Sequence, residues 1–214
     1  MPKLPDPQIR SALIDSAALL LADGPQALTT RRLAESVGTS TMAVYTYFRG
    51  MDDLRRAVRK EGFDRLAGLL DRITPSHDPV ADVAAAGGIY LFNALANPHL
   101  YRFMFMEPFD VNDDVGEATF ESLVAGLERA IQAGRFDKSD AYSLATQLWS
   151  MSHGIVTLHL AGLLTLEEAV DCLSDMGRNL FVGFGDDPLS AERSIRAARE
   201  RLRVQGVAVT EETA

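Results

Sequence analysis

Apolar residues recur at three- and four-residue spacing along almost the whole chain, and the strict apolar–polar alternation of a half-buried strand hardly appears. That periodicity restricts the fold to an all-α arrangement. A first helix starts near Pro7, carries Ile9, Leu13, Ala17, Leu20 and Leu21 on one face, and stops at Asp23-Gly24-Pro25. Thr29 is a suitable N-cap for a short helix that ends at Val37, with Leu33, Ala34 and Val37 inward and Gly38 as its stop. Ser40 can cap a second short helix carrying Val44, Tyr45 and Phe48, which Arg49-Gly50 breaks. A longer helix runs from about Asp52 to Ile73, with Leu54, Val58, Leu66, Leu69 and Leu70 along it. The stretch Thr74-Pro-Ser-His-Asp-Pro79 reads as a linker. Six further helices are expected near 79–96, 98–106, 113–134, 138–162, 166–184 and 188–204, each junction marked by proline, glycine or aspartate. The expected organisation is a head over residues 1–50 and a larger helical body over 51–214, in which 51–73 is the connecting helix.

Composition narrows the function classes. Hydrophobic residues make up 47% of the 214 residues, enough for a substantial core. No apolar run approaches the roughly 20 residues that span a bilayer, and Met-Pro-Lys-Leu-Pro-Asp-Pro is not a secretory leader, so no membrane partner is expected. The single cysteine, Cys172, excludes an intrachain disulfide and fits a cytoplasmic location. The net charge of −9 argues at first against nucleic acid. It is unevenly spread, however: residues 1–60 hold nine basic against six acidic side chains, and the remainder twelve against twenty-four. A mildly basic head on an acidic body can approach phosphate through the head alone.

Two short helices joined by a tight glycine-containing turn form the unit that reads DNA, with the second helix entering the major groove by its N-terminal end. Here that end reads Ser40-Thr41-Met42-Ala43, small or polar side chains able to approach base edges, while Val44 and Phe48 face inward. Tyr45, Thr46 and Tyr47 add hydroxyls suited to phosphate oxygens, and Arg31 and Arg32 stand in the first turn of the preceding helix. Spacing alone fits a plain helical hairpin with solvated threonines equally well.

The run Leu28-Thr-Thr-Arg-Arg-Leu-Ala-Glu-Ser-Val-Gly-Thr-Ser-Thr-Met-Ala-Val-Tyr-Thr-Tyr-Phe48, followed by Leu54, goes further. It resembles the DNA-binding signature of the tetracycline-repressor (TetR) family over roughly residues 9–57, many positions agreeing in register. The resemblance implies an all-α homodimer that reads a palindromic operator in double-stranded DNA, with a ligand pocket in the body whose occupancy releases the DNA. Carried across residue by residue, it places Thr29 and Thr30 at a phosphate-contacting helix start and Arg31 within reach of a base. Ser40, Thr41, Met42, Ala43 and Thr46 line the recognition helix, and Tyr45 and Tyr47 clamp the backbone. Two positions depart from the pattern. Met51 stands where the family usually has a phosphate-touching lysine, for which Arg49, Arg55 or Arg56 can substitute, and Thr39 stands where valine is usual.

In the body, Ala141 to Leu163 is apolar almost all round. Leu144, Leu148, Met151, Ile155 and Leu158 form one stripe, and Trp149, His153, Val156 and Leu160 another. The next helix has Leu166, Ala169, Val170, Leu173, Leu180, Phe181 and Phe184 on one stripe. Two such helices from each subunit would build a four-helix dimer seam, although an ordinary monomer core has the same periodicity. The element Trp149-Ser-Met-Ser-His153-Gly154, with Asn97 to Glu107 before it, is similar to the C-terminal domain of one Trp…His-Gly subgroup of the family. Flat and soft side chains are dense here. Phe92, Tyr101, Met104, Phe105, Phe120, Trp149, His153 and Val156 are the candidates to line a pocket for a small apolar or aromatic effector. Phe103, Met106, Phe109 and Met151 are of the same kind, and all of them suit plain core equally.

An enzyme is not indicated. His153 and His159 are six apart and cannot form the i, i+4 pair that holds zinc, Cys172 has no ligand at metal spacing, and neither a phosphate-binding glycine loop nor a nucleophile elbow is present. No metal or cofactor is expected. A DNA-binding architectural protein without a ligand is the remaining alternative. The last helix carries Arg193, Arg196, Arg199, Arg201 and Arg203, which suit either a second DNA contact or a solvated face laid on the acidic body.

Overall fold

The computed structural model describes residues 6–106 and 114–207, and among these every regular element is helical. The helices are α1 (Pro7–Ala22), α2 (Thr30–Val37), α3 (Thr41–Tyr47), α4 (Met51–Leu70), α5 (Pro79–Ala96), α6 (Pro98–Met106), α7 (Glu117–Gln132), α8 (Ala141–Leu160), α9 (Leu166–Gly183) and α10 (Pro188–Val204), with one 3₁₀ turn at Pro25–Ala27. Local chemistry fixes the ends. Asp6, Thr29, Ser40, Asp140, Thr165 and Asp187 each cap a helix by accepting a backbone N–H from its first turn. The connecting helix stops at Leu70, three residues before the end that periodicity suggested, and Asp71 to Ile73 continue only as turns.

The chain divides into two compact units, 1–65 with 97–116, and 66–96 with 117–214. In the first unit, Leu13, Leu33, Val44, Phe48, Leu54 and Val58 form the buried centre of the three-helix head and the start of α4. The same unit takes in α6, which the sequence assigned to the body. Gly62 of α4 is the reason for one close approach, since a β-carbon there would lie 2.5 Å from the Met104 sulfur. In the second unit, Val80, Val83, Leu127, Leu144, Leu148 and Phe181 belong to a core shared by α5, α7, α8 and α9, closed at one end by Phe136 against Phe181 and Phe184. Helix α5 is long and apolar enough to cross a membrane by length and composition, but 67% of it is buried inside this unit.

The segment between α4 and α5 is the expected linker, and side chains from the second unit tie it down. Three arginines hold it. Arg201 of α10 donates to Asp82 Oδ1 (2.9 Å) and to the Thr74 carbonyl (2.6 Å), and Arg129 of α7 donates to Asp82 Oδ2 (3.1 Å) and to the Ser76 carbonyl (3.1 Å). Arg135, in the turn after α7, bridges Asp78 (2.8 Å) and both oxygens of Asp186 (2.8 and 2.7 Å). Ser194 Oγ completes the cluster by donating to Asp78 Oδ2 at 2.6 Å. Burial by itself would raise the Asp82 carboxyl, but hydrogen bonds from Ser76 and Arg129 outweigh it and hold the group below the ordinary aspartate range. Arg193, Arg196 and Arg203 bond to Ser190, Glu192 and Glu200 within α10 itself, and Arg201 faces the body.

Candidate nucleic-acid interface

Helices α2 and α3 are short, so their caps decide where they begin. Thr29 Oγ1 accepts the Arg32 amide (3.2 Å) and Ser40 Oγ the Ala43 amide (3.1 Å). Between them Gly38 adopts φ +68°, a left-handed turn that L side chains rarely enter, and the Thr39 amide closes back on the Ala34 carbonyl. Leu33, Ala34, Val44 and Phe48 are buried by this turn. The opposite side of α3 is left outward: Thr41, Met42, Tyr45 and Thr46 are exposed, and Ala43 and Tyr47 half-buried.

Each expected contact residue has a definite state. Thr29 is exposed. Thr30 is half-buried and its hydroxyl donates to the Met51 sulfur (3.5 Å), so Met51, the departure from the family lysine, serves as an acceptor inside the head. Arg31 is 84% exposed and paired with Glu35 at 2.9 Å, an interaction that raises its pKa and that the guanidinium would exchange for DNA. Thr46 turns its hydroxyl back onto the Met42 carbonyl (3.0 Å). Tyr47 Oη accepts the Asp6 amide at 2.9 Å, which leaves the phenolic proton to donate elsewhere. Of the proposed substitutes for lysine, Arg56 pairs with Asp114 at 2.8 Å, and Arg49 is exposed with its amide bonded to Asp53.

The eight aromatic and soft candidates for effector contact fall in different units. Tyr101, Met104 and Phe105 lie in the first. Tyr101 and Met104 are fully buried there, and Phe105 packs on Tyr101 (5.0 Å) and on Phe63 (5.4 Å). Phe92, Phe120, Trp149, His153 and Val156 lie in the second. Three of these meet: the Phe120 ring stands edge-on to Trp149 at 6.2 Å, and Trp149 lies 5.6 Å from His153. Val156 is buried and Phe92 half-buried. Burial pushes the His153 imidazole below its ordinary pKa, favouring the neutral ring. Tyr90 of α5, which sequence spacing did not single out, joins this group with its hydroxyl 3.2 Å from His153 Nδ1. Phe109 and the side chain of Met106 lie outside the described residues.

Residues 13–58 match the family profile "Bacterial regulatory proteins, tetR family", and residues 83–177 match "Tetracyclin repressor-like, C-terminal domain". The chain belongs to the TetR family of transcriptional regulators. It is 26% identical to an uncharacterized HTH-type transcriptional regulator of Mycobacterium tuberculosis over 81% of this chain and 80% of that protein. A protein of unknown function from Rhodococcus sp. RHA1 superposes with a TM-score of 0.74 at 26% identity, covering 87% of this chain and all of that one. RolR in complex with resorcinol shares the fold at a TM-score of 0.63 and 18% identity, over 88% of this chain and 93% of RolR. As a TetR-family regulator the protein binds DNA, and the matched N-terminal domain contains α2 and α3.

The TetR-type body shows which face of α8 is spoken for. Leu144, Leu148, Ile155 and Val156 are buried, and the Trp149–His153 stripe turns to α7 and α5 of the same subunit. The outward strip is Ser143, Gln147, Ser150 and Leu158, with half-buried Gly154 among them. On α9 the outward residues are Asp171, Asp175, Met176 and Asn179.

Proposed function

We propose that the protein is a homodimeric, cytoplasmic repressor that binds a palindromic operator and releases it when a small aromatic effector binds the body. In this reading residues 1–50 are the DNA-binding head and 51–214 the dimerising and sensing part. The observation that carries the reading is the outward set on two capped, glycine-joined helices: Thr29, Arg31, Thr41, Met42 and Tyr45 stand exposed together, over an apolar back of Leu33, Val44 and Phe48. Small outward residues on α8 suit close approach of a second copy. A dimer would set two recognition helices about 34–36 Å apart, the spacing of successive major grooves. Phe120, Trp149 and His153, with Tyr90 behind the imidazole, form an aromatic wall with a polar end, and the structural neighbour RolR holds resorcinol, itself a small aromatic. Tyr101 and Met104 then serve as packing.

The test is selection of duplexes from a random library with the full-length protein, followed by binding at several salt concentrations. A palindromic consensus, bound with a steep salt dependence and weakened by Arg31→Ala and Tyr47→Phe, is expected. Equal binding of all sequences, or a monomer in sedimentation at micromolar concentration, refutes the reading. Resorcinol and simple phenols, titrated against the emission of Trp149, the only tryptophan, test the effector class.

A further inference from the structure

Bases are read in the major groove by a small repertoire. Arginine or lysine pairs with guanine, asparagine or glutamine with adenine, and aspartate or glutamate with cytosine, while apolar groups touch the 5-methyl of thymine. Helix α3 is Thr-Met-Ala-Val-Tyr-Thr-Tyr and holds none of the charged or amide readers. Its outward side is instead rich in methyl groups. Met42 is 74% exposed, one of the most exposed large apolar side chains in the protein, and it stands in the first turn of the helix. One turn on, exposed Thr46 donates its hydroxyl proton to the Met42 carbonyl at 3.0 Å, which takes the donor out of use and leaves the γ-methyl and the oxygen's lone pairs. A threonine with a free hydroxyl would also donate to the base acceptors, whereas this one can do so only by giving up its bond to the helix, and its methyl is available at no such cost.

Resting on the operator-binding reading above, we infer that α3 reads its half-site chiefly through thymine methyl groups, with Met42 and Thr46 as the reading residues. Residues four apart on a helix are separated by about 6 Å along its axis, and successive bases on one strand by about 3.4 Å. The two thymines read by this pair therefore lie about two base pairs apart. A hydrogen-bonded reading of guanine in the same half-site falls to Arg31 of α2, whose exposed guanidinium is held only by Glu35.

Deoxyuridine removes the 5-methyl and alters nothing else on the base, so it isolates this contact. The full-length protein is titrated against its selected palindromic duplex, then against duplexes in which each thymine in turn is replaced by deoxyuridine in both half-sites. A buried methyl group contributes about 0.8 kcal/mol, or roughly fourfold in affinity. Replacement in both half-sites should therefore weaken binding about 15-fold at two positions spaced as above and little elsewhere. Met42→Ala should weaken the thymine duplex by a similar factor and lose the distinction between thymine and uracil at one position only. Thr46→Ser, which keeps the hydroxyl bond and deletes the methyl, should lose it at the other. Both residues are exposed, so these variants keep the head folded. If a specific operator is found but every deoxyuridine duplex binds as tightly as thymine, or the half-site holds no thymine, then the methyl reading is overturned while operator binding stands. If no sequence is preferred at all, operator binding itself is refuted.

Discussion

Removing Arg135 should cost the body more than removing any exposed arginine of α10, and the structure sets the size of the loss. The guanidinium donates to both oxygens of Asp186, whose side chain is 2% exposed, and to Asp78, whose side chain is 35% exposed. The hydrogen bond to Asp186 raises the arginine's pKa against the opposing effect of its burial, with the Asp78 charge adding to it, so the cation persists at any pH of interest. In Arg135→Ala, water can reach Asp78, which also keeps its Ser194 partner and its cap on the amides of Val80 and Ala81, so that loss is about 0.5–1 kcal/mol. Asp186 retains only the Asp187 amide among the bonds seen here, and stripping the partner from a buried carboxylate costs about 3–5 kcal/mol. That amide offsets part of the loss. The sum is about 3 kcal/mol, which for a chain of this length lowers Tm by about 6–12 °C. Urea unfolding at a fixed protomer concentration measures it, with Arg196→Ala as control. Arg196 is 72% exposed and meets Glu192 only at 3.4 Å, so its loss should stay within about 0.5 kcal/mol. Adding Asp186→Asn to Arg135→Ala should recover part of the stability. An Arg135→Ala protein within about 0.5 kcal/mol of wild type would refute the assignment of a buried charge at Asp186.

Two further outcomes follow from groups already described. His153 has a folded-state pKa below the unfolded value of about 6.5, so the unfolded chain binds the proton more readily. Its contribution is fully present above that pH and is lost as pH falls through the window below it. His153→Gln should flatten the change in urea midpoint between pH 7.5 and 5.5, and an unaltered slope would show that the imidazole is not desolvated. At α9, Thr165 accepts the Glu168 amide while Glu168 accepts the Thr165 amide at 2.8 Å, so Thr165→Ala should destabilise the body by about 1 kcal/mol and Thr165→Ser by much less, measured the same way.

What the sequence disclosed and what it hid divide by distance along the chain. Thr29, Gly38 and Ser40 act on neighbours within five residues, and their types alone locate the turn between α2 and α3. Helix starts at Pro7, Pro79, Leu166 and Pro188 were legible for the same reason, because a cap or a proline is a local event. Tyr47 bonds to Asp6 across 41 positions, Tyr90 to His153 across 63 and Arg201 to Asp82 across 119. Nothing in local composition forecasts those pairs. For this reason the linker at 74–79 was legible in its place but not in its anchoring. Proline, serine and aspartate do signal a chain reversal, but whether the exposed carbonyls of Thr74 and Ser76 stay solvated depends on arginines brought from α7 and α10. The aromatic candidates were likewise not sortable from sequence: density of Phe and Met marks apolar packing, and only the fold tells that Met104 fills the space above Gly62 while Trp149 stands against Phe120.

The charge balance acquires a different meaning once its partners are known. A net charge of −9 would oppose DNA if the protein met it as a whole. At physiological salt, however, charges act over a Debye length of about 8 Å, so only the groups near the phosphates count. In the head, the Arg31–Glu35 pair is exposed and costs little to break, and Arg49 is exposed. In the body, Arg129, Arg135 and Arg201 are committed to Asp78, Asp82 and Asp186, whereas Arg193, Arg196 and Arg203 make exposed contacts on their own helix that are worth no more than the Arg31 pair. Among the arginines of α10, Arg201 is the one withdrawn from phosphate, because it must give up a buried carboxylate before it gains another partner. What separates the arginines is how cheaply each can be released: those held by Asp82 and Asp186 are costly to free, and the exposed pairs of the head and of α10 are not.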